Sequence, residues 1–154
     1  MRPNIRRAIL GGFVGTLAIT AMMYWVGPMV GMMKMDIAAS LGTMLGGSWA
    51  LGMMMHFVNG TIIFPLIYAY LLFRVLLGGP TLKGVEGGLI LWFLAQTMVM
   101  PMMGGGFFSA NMGGMMSAFG SLIGHAIYGA FLGWIGGSAE TRPQLLQKPQ
   151  SRAA

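Results

Sequence analysis

The sequence predicts an all-α membrane protein: a bundle of four transmembrane helices, built as two tandem helical hairpins with pseudo-two-fold symmetry. Three observations predict it. Hydrophobic residues make up 56% of the 154 residues and charged residues only 8%, against roughly a quarter in soluble chains. The apolar residues fall into four charge-poor runs, each near the ~20 residues that a helix needs to cross a bilayer. The second half of the chain also repeats the layout of the first.

Residues 1–7 form a basic leader with Arg2, Arg6 and Arg7, and the first span covers about 8–27. Gly27-Pro28 is expected to end it, since proline breaks the helical ladder. A basic leader before an apolar run is also the layout of a secretory signal. The length of this run, and its recurrence later in the chain, favour a retained helix. Residues 29–47 read as a loop holding a short amphipathic helix over about 37–45, with Asp36 as its N-cap. That piece is too short to span, so it is expected at the interface or as a re-entrant turn.

The second span covers about 48–73 and stops at Arg74, with Pro65 expected to kink it. Gly78-Gly79-Pro80-Thr81 is a turn. The third span runs over about 85–100 and ends at Pro101, with Glu86 near Lys83 at its entry, where a charge still reaches water. A glycine-rich loop, 102–114, leads to the fourth span, about 115–136. The bundle thus occupies 1–137, and the polar, proline-containing stretch 138–154 reads as a disordered cytoplasmic tail.

Charge placement sets the expected orientation. Eight basic residues fall at the leader, the middle turn and the tail, and only Lys34 falls in either of the other two loops. By the positive-inside rule both termini are cytoplasmic, in a multi-pass protein of the inner membrane whose Met-rich loops face outward. The net charge of +6 is scattered over segment ends, without the stripe that nucleic-acid binding requires, so the expected surroundings are the lipid bilayer. With no cysteine, disulfides and thiolate metal sites are excluded.

An offset of 73 residues aligns Gly11 with Gly84, Gly15 with Gly88, Pro28 with Pro101, Met29 with Met102 and Gly31 with Gly104. An offset of 69 then aligns His56 with His125 and Gly60 with Gly129. The two units, about 8–74 and 84–137, each read as a G-x-x-x-G span, a P-M-x-G exit, a loop and an H-x-x-x-G span. Each unit crosses twice, so the copies run parallel and share an axis along the membrane normal. Chance matching of abundant glycines and methionines is the alternative; five identities at one offset weigh against it.

His56 and His125 are the only histidines, and an ionisable side chain inside a span is a functional candidate. The duplication places them at similar depth on the second and fourth spans. Several readings are open. Each ring can simply bond a neighbour: Asn59 or Tyr128 at i+3, or Gln96 on the third span. The pair can ligate a b-type haem, with Gly60 and Gly129 leaving room for the flat ring. It can also hold Cu(I), because thioether and imidazole are the ligands Cu(I) accepts without cysteine. Met29, Met32, Met33 and Met35 crowd one loop, Met102 and Met103 begin the other, and Met53 leads into His56. Apart from Met1, every methionine lies between Met22 and Met116, and a mere apolar filler has no reason to prefer one leaflet. A proton or small-solute carrier is the remaining reading, although no run of further polar residues completes a path. Catalysis is not predicted: no H-E-x-x-H, G-x-S-x-G or paired-carboxylate arrangement occurs.

The loop Gly27-Pro28-Met29-Val30-Gly31-Met32-Met33-Lys34-Met35-Asp36-Ile37, together with Gly52 to Gly60 around His56 and with Gly124-His125, resembles a family of small prokaryotic four-helix membrane proteins of unknown function. The resemblance implies membrane location and marks the loop and the histidines; it implies no reaction. The expectation is a non-enzymatic membrane component, an accessory subunit of a respiratory or metal-handling complex that packs against a membrane-protein partner or its own copies.

Overall fold

A computed structural model describes residues 3–31 and 34–137; Met32, Met33 and the expected tail at 138–154 lie outside the described residues. Along it run α1 (Ile5–Met29), α2 (Ile37–Thr43), α3 (Trp49–Val75), α4 (Pro80–Met102) and α5 (Gly114–Gly136). The four long helices have 23 to 27 residues, about 34–41 Å at 1.5 Å per residue. All four are long and apolar enough to cross a ~30 Å hydrocarbon layer. The chain is a four-helix membrane protein.

Helices start where a side chain satisfies a free amide. Asn4 accepts from the Arg7 amide at 3.2 Å, Asp36 from Ala39 at 2.9 Å, and Ser48 from Leu51 at 3.3 Å. α4 instead opens with Pro80 in its first turn, where a fixed φ suits the helix. It therefore begins before the expected 85 and carries Lys83 and Glu86 inside its first two turns. Lys83 Nζ donates to the Phe73 carbonyl at 2.7 Å, and Glu86 Oε2 accepts from the Leu77 amide at 3.0 Å. Both charges tie the start of α4 to the end of α3.

As expected, α1 and α4 close at their prolines, one residue beyond Pro28 and Pro101, whereas α3 runs on through Pro65. Met22–Val26, Asn59–Ile63 and Ala95–Val99 are π-helical turns, and each ends two residues before a proline: Pro28, Pro65 and Pro101. Proline lacks an N–H and crowds the carbonyl four residues back. A widened turn at that point absorbs the mismatch, and in α3 the helix continues for ten residues beyond Pro65. The π turns of α1 and α4 fall 73 residues apart, the offset that aligns their sequences. Pro65 is buried against Gly12 of α1.

Glycines decide which helices touch. Gly84 and Gly88 of α4 lie against the α5 backbone at Gly129 and His125. A methyl added to Gly11 or Gly15 of α1 would stand 2.9 Å from the Phe131 carbonyl or 2.8 Å from the Tyr128 carbonyl of α5. Both G-x-x-x-G motifs therefore serve α5, which packs between α1 and α4. The glycines that match in sequence do not make matching contacts. α3 packs chiefly on α1 and α2, and its close packing with α4 is confined to the end near the 76–79 turn. There Tyr68 Oη donates to the Pro80 carbonyl at 3.0 Å.

The Met-rich end is closed by the two loops. Asp36 joins three elements: it caps α2 and accepts from Tyr24 Oη of α1 and from Trp49 Nε1 of α3, the latter at 3.1 Å. Lys34 Nζ stands 5.6 Å from the centre of the Tyr24 ring. Burial works against the Asp36 charge, but the bonds from Tyr24, Ala39 and Trp49, with Lys34 nearby, outweigh it and hold the carboxyl below its ordinary value. In the second loop Ser109 adopts a φ of 59°, rare without glycine, and its buried hydroxyl donates to Gln96 Oε1 at 2.9 Å.

Candidate functional site

His56 lies two turns into α3 from its Trp49 end, opposite Thr20 of α1, with Nε2 and Thr20 Oγ1 2.9 Å apart. Thr20 has one hydroxyl proton, and it is donated to the Thr16 carbonyl at 2.6 Å. The ring must then be the donor, so His56 carries its proton on Nε2 and leaves Nδ1 as an acceptor. His125 lies on α5 with Nδ1 2.8 Å from the Ser121 carbonyl of its own preceding turn. A carbonyl only accepts, so His125 carries its proton on Nδ1 and leaves Nε2 as an acceptor. The two tautomers are opposite. Each ring is fixed through one nitrogen and has the other without a partner among the described residues.

Both imidazoles line one cavity of ≈330 Å³, bordered by α1, α3, α4 and α5 and covered at one end by Met35, Ile37 and Leu41 of the first loop and α2. Its wall is mostly apolar: Ile19, Phe64, Leu91, Leu94, Val99. A few polar groups converge on it, namely the amides of Asn59 and Gln96 and the hydroxyls of Thr16, Ser121 and Tyr128. Thr16 and Tyr128 are committed elsewhere, to the carbonyls of Gly12 and Gly60 at 2.7 Å each. A concave apolar site with few, convergent polar groups is the ordinary form of a ligand pocket.

A family model matches residues 2–147. The chain belongs to that family, DUF6789, a family of unknown function. No curated protein and no solved structure matches the sequence.

In this DUF6789 chain the residues singled out by the sequence are distributed as follows. His56, His125, Gly60, Met35 and Met103 line the cavity, joined by Met23 and Met100. Gly60 and Gly129 are both occupied by packing: Thr16 of α1 stands against Gly60, and Gly84 of α4 stands against Gly129. Neither provides an open recess. Met29 and Met102 are 85% and 68% exposed at the ends of their helices, and Met53 is half-buried away from the cavity. Met32 and Met33 lie outside the described residues. No cluster of three His, Cys, Asp or Glu side chains occurs among the described residues.

The expected hydrogen-bond partners of the rings differ from those found. Asn59 and Gln96 make no bond to either ring, and Tyr128 bonds Gly60. The positions i+3 point along the helix surface, whereas His125 finds a carbonyl one turn back. Thr20 went unnoticed in the sequence, although Thr16 and Thr20 stand one helical turn apart in an otherwise apolar span.

Proposed function

We propose that this protein is a non-enzymatic membrane component that holds one ligand in the intramembrane cavity, with His56 and His125 as its anchors. One observation carries the reading: two rings on a common cavity, each locked by a bond at one nitrogen, each offering a lone pair at the other. Fixing one imidazole nitrogen to orient the other is how proteins prepare histidine as a ligand or acceptor. The occupant therefore brings hydrogen-bond donors or is itself a Lewis acid. The placement of basic residues supports an inner-membrane protein with cytoplasmic termini, so that the cavity lies toward the outer leaflet. An accessory role in a larger membrane assembly suits a chain whose described residues are mostly membrane-length apolar helix.

A b-type haem does not fit these residues. The glycine recesses that would admit a flat ring are filled by Thr16 and Gly84. The Nε2 of His56 is bonded to Thr20, and the remaining Nδ1 sits beside its own Cβ, where a macrocycle collides. Cu(I) is the second reading, favoured by the thioethers of Met23, Met35, Met100 and Met103 on the same wall.

Native mass spectrometry and metal analysis of the protein purified from its own membranes test both. A small organic molecule retained by the intact chain, and lost in His56→Ala and His125→Ala, is expected. Stoichiometric copper lost in the same variants selects the second reading. An adduct that survives both substitutions, or none from folded protein, overturns the proposal.

A further inference from the structure

Resting on that reading, we infer that the ligand is a lipid-soluble ring bearing two hydroxyl groups, of the hydroquinone class, which enters from the bilayer between α3 and α4.

Size comes first. A cavity of ≈330 Å³ is about the volume of ten liquid waters, at the small end of the range of pockets for organic ligands. One metal ion would leave most of it vacant, and water has few partners on a wall that is mainly Ile19, Phe64, Leu91, Leu94 and Val99. A compact apolar body fills it.

Polar chemistry comes second. The two imidazoles present two acceptor nitrogens from different helices, α3 and α5. A molecule satisfying both brings two donors, and a ring diol carries them on one compact apolar frame. The same hydroxyl oxygens accept hydrogen bonds, which suits the amides of Asn59 and Gln96 on the same wall; Gln96 already spends its Oε1 on Ser109 and keeps its N–H groups. A phenol fills one of these acceptors, and an ether fills none.

The route comes third. α3 and α4 pack closely only near the 76–79 turn. Toward the Met-rich end the space between them is the cavity itself. Leu94 both lines that cavity and is 43% exposed, which puts it at the rim of a lateral opening. The mouth facing the loops is covered by Met35, Ile37 and Leu41, fixed by the Asp36 bonds to Tyr24 and Trp49. Among the described residues, the opening left is the lateral one. A lipid-soluble ligand is the kind that arrives there.

The test uses the full chain in lipid nanodiscs, titrated with tetramethylhydroquinone, its dimethyl ether, and a tetramethylphenol. The diol is expected to bind, with affinity lowered about ten-fold or more in the phenol, in His56→Phe and in His125→Phe, and further in the ether, as hydrogen bonds are lost. Leu94→Trp is expected to slow association about ten-fold while changing the equilibrium constant less. Equal binding of diol and ether, or diol binding unchanged in both histidine variants, overturns the inference. If the protein instead retains copper or another molecule through the two histidines and ignores the diol, the inference fails and the anchoring role stands. If nothing binds through these rings, both fail. Circular dichroism of each variant separates lost binding from lost folding, and Thr20→Val, which keeps both imidazoles but removes the bond that fixes the His56 tautomer, is expected to weaken diol binding as well.

Discussion

Asp36 shows how much one side chain organises at the Met-rich end. It caps α2 and receives bonds from α1 through Tyr24 and from α3 through Trp49. Because its carboxyl ionises below the ordinary value, the stability it contributes is fully present above the unfolded pKa of about 3.9 and is lost as pH falls through the lower folded value. Tryptophan emission of the wild type is therefore expected to change on acidification below about pH 4, and that transition should be missing in Asp36→Asn. Asp36→Ala should raise hydrogen exchange at the Ala39 amide by the equivalent of about 1 kcal/mol, the usual cost of losing a cap. Its capping role was legible from the residues around it. The two aromatic donors were not, since nothing local in the sequence brings Tyr24 and Trp49 to one carboxylate. Thr20 is a parallel case at the site: its hydroxyl fixes the tautomer of His56 across a helix interface that no periodicity specifies.

For the helices, glycine spacing carries the packing and proline spacing shapes the backbone. Gly84 meets the backbone of α5, which cannot yield, whereas a methyl at Gly87 would meet only side-chain atoms of Tyr68, Leu72 and Leu76, at 3.5 Å or more. Gly84→Ala is expected to destabilise by about 1–3 kcal/mol through overpacking. Gly87→Ala should be neutral or stabilising by about 0.4–1 kcal/mol through the unfolded chain. Unfolding midpoints in mixed detergent, followed by helix content, compare the two. The four spans and the loop helix were readable from hydropathy and caps. The ends at Pro28 and Pro101 were legible to within a residue, whereas the start of α4 at Pro80 was not, since a proline suits the first turn of a helix. Which helix each G-x-x-x-G would face was not legible either. Both meet α5, whose Gly124, Gly129 and Gly133 leave room on the faces it turns to α1 and α4.

Across the whole molecule, asymmetry around α5 has a consequence for function. With α1 and α4 both drawn onto α5, α3 is left in close contact with α4 at one end only, and the intervening space is the cavity that both histidines line. The sequence pointed to a shared location for the two rings through the repeat. It could not reveal opposite tautomers or a pocket of this size, since those depend on how far two helices stand apart. The disposition proposed from charge placement is open to a direct test. In a chain without native cysteine, Leu45→Cys and Leu77→Cys place single thiols at opposite ends of the bundle. An impermeant maleimide added to intact cells is expected to label Leu45→Cys and spare Leu77→Cys until the membrane is opened; the reverse pattern would invert the topology.

The most direct measurement is 15N spectroscopy of histidine-labelled protein in nanodiscs, where only two rings contribute. It should show His56 protonated at Nε2 and His125 at Nδ1, with the bare nitrogen of both rings shifting together as tetramethylhydroquinone, or on the second reading Cu(I), is added. Rings that share one tautomer, or that never respond together to either addition, would contradict a ligand held between them.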